Sequence, residues 1–161
     1  MKVLIGKESE SAMYFIDIAT DVALGSGCLR SRCGSIIVND NEIIGRGFNS
    51  LPMNKVLEHC IKDELPIDFK SDRTCCVHAE QRAVMNALAT NPKKVEGSTL
   101  YFIRLDKEGN KLNAEDPYCT ICSKMALDVG ISEFVLLREE GITVYDIEEY
   151  NRFSFGFRTL L

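Results

Sequence analysis

Across residues 11–24 the apolar side chains Ala12, Phe15, Ile16, Ala19, Val22 and Ala23 recur at helical spacing, the stripe of an amphipathic helix. Ser9 or Ser11 stands where a cap would open that helix, and Gly25 where it would stop. The pattern then shortens. Two isoleucine- and valine-rich runs, 35–38 and 43–48, flank Asn39-Asp40-Asn41, which predicts a hairpin. Residues 51–74 hold no period. With Pro52, Pro66 and mixed charge they predict a long insertion, and irregular segments of that length in a small domain tend to be functional or tied by a metal. Helical spacing returns over 78–90, with Ala83, Val84, Ala87 and Leu88 on one face and Pro92 beyond the end. A strand over 98–103 follows, then a polar loop around Lys107-Glu108-Gly109-Asn110 that runs into Asp116-Pro117. A helix over about 119–129 ends at Gly130, and a strand over 133–137 follows it.

The order helix, hairpin, helix, strand, helix, strand implies parallel neighbours with helices packed on the sheet faces, and antiparallel first strands. The expected fold is α/β, a three-layer α/β/α sandwich around a mixed sheet, as one domain over 1–161 with the insertion at about 51–74. The tail from Tyr150 to Phe157 alternates aromatic with small or polar residues. It reads either as a strap that stacks over a pocket or as an edge strand or subunit contact.

Composition narrows the class. Of 161 residues, 45% are hydrophobic and 27% charged, which is ordinary for a globular chain. No apolar run approaches the ~18 residues that cross a membrane. The opening residues Met1 to Glu8 are too few and too soon charged for a secretory signal, so a cytoplasmic location is expected. The net charge of -5 favours a small-molecule substrate over a nucleic acid, whose phosphates call for a basic footprint. Seven cysteines cannot all pair within one chain, and without a secretion signal metal ligation is favoured over disulfides.

Two segments carry the candidate chemistry, His78-Ala79-Glu80 and Pro117-Tyr118-Cys119-Thr120-Ile121-Cys122, each at a predicted helix start. A hydrolytic zinc takes three protein ligands and keeps a fourth position for water. His78, Cys119 and Cys122 supply one nitrogen and two sulfurs, and the cysteines lie one helical turn apart. A helix N-terminus favours the thiolate. Within a helix, residues two apart diverge by ~200°. His78 and Glu80 therefore converge only at a helix end. Glu80, which zinc binding does not require, suits proton shuttling. Either motif alone has plain alternatives: a structural zinc or redox pair for the cysteines, a simple helix start for His-Ala-Glu. Together they match the zinc deaminase signature.

The chain thus resembles the cytidine and deoxycytidylate deaminase superfamily. The matching pieces are Cys33-Gly34-Ser35-Ile36-Ile37-Val38, Ile44-Gly45-Arg46-Gly47-Phe48-Asn49, His78-Ala79-Glu80, Thr99-Leu100-Tyr101, Cys119-Thr120-Ile121-Cys122 and Gly130-Ile131. The resemblance implies a five-stranded sheet, zinc on His78, Cys119 and Cys122, and Glu80 as general acid and base. It implies a substrate-contacting role for Asn49, whose plain alternative is a turn residue after a strand. Ala79 and Tyr118 join Asn49 as substrate-binding candidates. Two departures stand out: Tyr118 intervenes between Pro117 and the first cysteine, and Arg82 stands where deoxycytidylate deaminases usually carry asparagine. Some deoxycytidylate deaminases hold a second, structural zinc near such an insertion. That makes Cys28, His59, Cys60, Cys75 and Cys76 candidates for a second metal site, against the plain alternative of buried thiols. Arg30, Arg32, Arg46 and Arg73 are candidates for phosphate binding, against the plain alternative of a solvated face.

The expected function is zinc-dependent deamination of a cytosine nucleotide or nucleoside, deoxycytidylate first. The rivals are deamination of another base, such as guanine or a base in tRNA or single-stranded nucleic acid, and a non-catalytic zinc-binding domain. Family members are commonly homo-oligomers, so assembly as a dimer or higher is expected.

Overall fold

A computed structural model describes residues 1–28, 30–56, 58–64 and 75–156. Strand β1 (Lys2–Val3) leads into helix α1 (Gly6–Leu24), followed by β2 (Arg32–Asn39), β3 (Glu42–Phe48), α2 (Ala79–Thr90), β4 (Thr99–Leu105), β5 (Lys111–Leu112), α3 (Thr120–Asp128), β6 (Glu133–Arg138), β7 (Gly141–Asp146) and α4 (Ile147–Gly156). The sheet order is β1-β7-β6-β4-β2-β3, with β5 beside β4. β4 and β6 run parallel across α3, while β2 is antiparallel to both β3 and β4. The crossover through α2 therefore skips one strand.

Period-two alternation divides the sheet between two apolar layers. Ile36 and Val38 of β2, Ile103 and Leu105 of β4 and Val135 of β6 pack with Phe15, Ile16 and Ala19 of α1. Ile37, Leu100, Phe134 and Leu136 face the other way, against Ala83, Val84 and Ala87 of α2, Ala126 of α3 and Tyr150 of α4. The three-layer α/β/α sandwich is as expected.

The hairpin turn is Asp40-Asn41, both at positive φ (49° and 62°), the backbone that a two-residue I′ connection requires. Two glycines set the distance between β3 and α2. A Cβ at Gly47 would overlap the Ala79 carbonyl, and one at Gly45 would strike Ala83 and Ala87 of α2. The glycines let the helix that carries His78 and Glu80 lie directly on the strand.

Several expectations are corrected. Among the described residues the sheet has seven strands, not five. β1 and β5 are two residues each, too short to leave a period, and β7 is a β-branched run, Ile142-Thr143-Val144, opened by Gly141 at φ +125°. Helix α1 begins at Gly6 after Ile5, with no side-chain cap, so Ser9 and Ser11 lie inside it. Its first turn is polar and exposed, which erased the stripe there. Leu88 is exposed, since the buried face of α2 ends at Ala87. The tail is a helix rather than an edge strand. Tyr150 is buried and stacks on Phe134 at 3.8 Å between ring centroids, whereas Phe153 and Phe155 are exposed. Phe157 lies outside the described residues. Within 51–74 two 3-10 turns occur, Pro52–Asn54 and Ile61–Glu64, and residues 65–74 lie outside the described residues.

Candidate metal centre

The N-termini of α2 and α3 meet over the sheet. His78 is the residue before α2, in extended conformation (φ -71°, ψ 155°), so its ring does not follow the helical rotation of its neighbours. Gln81 Oε1 accepts from its backbone N–H at 2.9 Å, which fixes the entry. Glu80 lies in the first turn and is buried, 7% exposed. Cys119 caps α3, its sulfur accepting from the Cys122 N–H at 3.4 Å. Cys122 lies one turn on and is buried.

These placements bring three donors together. His78 Nδ1 lies 3.2 Å from Cys122 Sγ and 3.5 Å from Cys119 Sγ. All three donor atoms fall within 4.8 Å of one another, and among the described residues no other such group of His, Cys, Asp and Glu forms. Their protonation is polarised. Hydrogen bonding from the Cys122 side chain, and then from His78, pulls the Cys119 thiol down to about 4. The Cys119 bond and burial push the Cys122 thiol up. Hydrogen bonding to Cys119 raises the His78 imidazole. A sulfur already anionic, a second sulfur and an imidazole nitrogen at one point form a zinc donor set of the catalytic kind, with three protein ligands. Burial raises the Glu80 carboxyl; His78 and a hydrogen bond with Cys122 pull the other way.

The remaining candidates separate. Asn49 follows β3 and is committed to the fold. Its Oδ1 accepts from Ser26 Oγ and from the Cys33 N–H, both at 2.7 Å, and its Nδ2 donates to the Ser31 carbonyl at 2.9 Å. Ala79 is fully buried against β3. Its N–H is among the first-turn donors without a partner inside the helix. Tyr118 is exposed beside Cys119. Arg82 spans from α2 to the loop after β3, donating to the Leu51 carbonyl at 2.9 Å and lying over the Phe48 ring.

Cys28, His59, Cys60, Cys75 and Cys76 line one cavity of about 30 Å³ together with Lys55. Cys75 Sγ and Cys76 Sγ are 3.8 Å apart. Burial, then Cys75, pushes the Cys76 thiol up to about 12. His59 Nε2 faces Glu64 at 3.0 Å. Of the arginines, Arg30 is exposed and 3.6 Å from Asp63, Arg46 is exposed, and Arg73 lies outside the described residues. Arg32 lies on the α1 face, two residues before Gly34, whose missing Cβ makes room for Ala19 and Ala23.

Sequence reasoning overlooked two neighbours of Glu80. Cys33 lies close enough for the Glu80 charge to add to the burial that pushes its thiol up to about 12. Tyr150 lies within reach of the charges of Glu80, Cys122 and Cys119, though burial is the main reason its hydroxyl is raised. Cys33 entered only as the first residue of a matching strand and Tyr150 only as the start of the aromatic tail. Only the sheet register and α4 bring them in.

The family model of the cytidine and deoxycytidylate deaminase zinc-binding region matches residues 9–138. A deoxycytidylate deaminase of Saccharomyces cerevisiae is 28% identical over 170 residues, covering 89% of this chain and 49% of its own length. A deoxycytidylate deaminase of Mycobacterium phage D29 is 31% identical over 134 residues, covering 78% of this chain and 93% of its own. The chain thus spans about half the length of the yeast relative and nearly all of the phage one. Among solved structures, the dCMP deaminase of cyanophage S-TIM5 in complex with dCMP and dUMP superposes with a TM-score of 0.51 at 20% identity, covering 81% of each chain.

Proposed function

The chain belongs to the cytidine and deoxycytidylate deaminase zinc-binding family, and from that premise we propose that it deaminates a cytosine nucleotide, dCMP to dUMP, by hydrolysis at the centre formed by His78, Cys119, Cys122 and Glu80. The observation that carries the reading is the convergence of three zinc donors within 4.8 Å beside a buried carboxylate that zinc binding does not need.

His78, Cys119 and Cys122 would hold the zinc, which when bound supplies a Lewis acid that brings the pKa of water to ~7. Glu80 accepts the proton that water gives up and delivers it to the ring nitrogen beside the amino-bearing carbon. The water oxygen bonds to that carbon, and Glu80 then takes the remaining proton of this oxygen and passes it to the amine, so that the C–N bond breaks as the carbonyl forms and water and the aminopyrimidine become the pyrimidinone and ammonia. Burial of Glu80 keeps bulk water from competing for that proton, and its raised carboxyl pKa suits a group that must both take and give one. The names of the two relatives support deoxycytidylate as the substrate, and the net charge of -5 fits a small molecule better than a polymer.

The test is ammonia release from dCMP, CMP, deoxycytidine, cytidine, guanine and tRNA, with Glu80→Gln alongside wild type. dCMP should lead, and Glu80→Gln should keep its zinc while losing at least ~100-fold in kcat, the lower end of a general acid–base contribution. A variant with full turnover would remove Glu80 from the chemistry. Release from guanine or tRNA alone would move the substrate to that rival.

A second, structural zinc is supported by the shared cavity of Cys28, His59, Cys60, Cys75 and Cys76, whose donors would draw together around the ion, since no three of them lie within 4.8 Å of one another. Metal analysis should find two zinc ions per chain, falling to one in Cys60→Ser. One ion in wild type would dismiss the second site. The exposed apolar residues Met53, Val56, Tyr118 and Phe155 support assembly into a homo-oligomer, which light scattering reads directly. No helix among the described residues is long and apolar enough to cross a membrane. The metal-type use of cysteine fits the reducing cytoplasm.

A further inference from the structure

Near its end, on the face that carries the metal centre, β4 holds a cation that has no ion-pair partner among the described residues. Arg104 lies on the same face of β4 as Leu100 and Phe102, which pack toward α2, α3 and α4. Its side chain is half-buried, and among the described residues its guanidinium makes no ion pair or hydrogen bond. Elsewhere the half-buried guanidinium groups of this face are engaged: Arg82 on the Leu51 carbonyl, Arg138 on Asp116 and Tyr145.

Register places Arg104 beside the site. It pairs with Cys33 across β2 and β4. Cys33 is in turn bonded to Asn49, whose N–H donates to the Cys33 carbonyl at 3.1 Å and whose Oδ1 accepts from the Cys33 N–H. Cys33 of β2 thus lies between Arg104, its neighbour on β4 at ~4.8 Å, and Asn49, the residue just past β3. Cys33 senses both Glu80 and Arg104, so the guanidinium and the catalytic carboxylate flank the same side chain. The protein carries a net charge of -5, which opposes the approach of a phosphate ester unless a local cation offsets it. A guanidinium is suited to that task, since it stays charged and can grip a phosphate through two parallel N–H bonds.

We infer that Arg104 receives the phosphate of a pyrimidine nucleotide whose base lies at the His78–Cys119–Cys122 centre, so that this residue selects nucleoside monophosphates over nucleosides. The inference rests on the deaminase reading and adds the residue that would read the phosphate. Arg104 is a specificity residue. It takes no part in moving protons.

Zinc-loaded wild type, Arg104→Gln and Arg104→Lys are compared on dCMP and on deoxycytidine, with dCMP binding measured by calorimetry in parallel. Losing a hydrogen-bonded charge pair should lower kcat/KM for dCMP by about 10- to 100-fold, mainly through KM, and Arg104→Lys should recover part of it. The loss on deoxycytidine, which has no phosphate, should be much smaller. Equal losses on both substrates, or an unchanged preference for dCMP, would overturn the assignment. If wild type releases ammonia from neither compound, the deaminase reading fails by itself. Binding then decides the role of Arg104: weaker dCMP binding in Arg104→Gln supports it, while equal binding or none in wild type refutes it.

Discussion

Asn49 shows how a single side chain divides between fold and function. It joins Ser26 and Ser31 of the loop after α1 to Cys33 of β2, and its oxygen is already shared by two donors. Asn49→Ala would leave the Cys33 N–H and the Ser31 carbonyl without their partner. Each such orphaned group costs about 1–3 kcal/mol when buried, so urea unfolding should show a loss of at least that size. A residue whose only work is to touch substrate would raise KM and leave the unfolding midpoint in place. From sequence, the turn-residue and substrate-contact readings of Asn49 could not be separated, because its partners are 16 to 23 residues away. The ligands were legible for the opposite reason. His78, Cys119 and Cys122 each sit at a helix start that the local pattern marks, and the spacing of three between the sulfurs is itself the geometry.

The elements that matter most are α2 and α3, because their N-termini carry the donors. What holds α2 in place is the absence of side chains opposite it. Gly45 and Gly47 of β3 let Ala79, Ala83 and Ala87 approach the strand backbone. In Gly47→Ala the new methyl would meet the Ala79 carbonyl one residue from His78, and α2 would have to lift. Overpacking of that kind costs about 1–3 kcal/mol. The shift should also move His78 and Glu80 against Cys119 and Cys122, so zinc affinity and turnover should fall with stability in the same variant. Unchanged zinc affinity in a destabilised Gly47→Ala would show that the helix N-terminus is held by something other than this contact. The strands with a clear Ile/Val period, β2 through β4 and β6, were readable from sequence. β1 and β5 were not, because two residues paired by their partners' backbones leave no alternation, and α4 was obscured because its aromatic spacing imitates a strand.

At the scale of the molecule, one metal ion would tie α2 to α3, which are otherwise joined through the sheet and through the apolar cluster that holds Ala83 of α2 and Ala126 of α3. Anything that binds only the folded state stabilises it by mass action, so chelation should lower the melting temperature. The metal-free protein should then show a pH dependence set by Cys119. Its thiol is lowered from 9.0 to about 4. Between those values the unfolded chain holds a proton on this sulfur that the folded chain does not, so stability rises with pH in that window and is lost as pH falls through about 4. His78, raised from 6.5, acts in the opposite sense above that value, since the folded state then holds the extra proton. Glu80, raised from 4.5 by burial, opposes the rise in the same way above its own ordinary value, so below pH 6.5 the Cys119 contribution is the difference between wild type and a variant without that sulfur. Denaturant unfolding of chelated wild type and Cys119→Ser across that acidic range should give curves that converge as pH falls and separate as it rises. Parallel curves would mean that Cys119 is an ordinary thiol before the metal arrives, and that the ion itself must remove the proton.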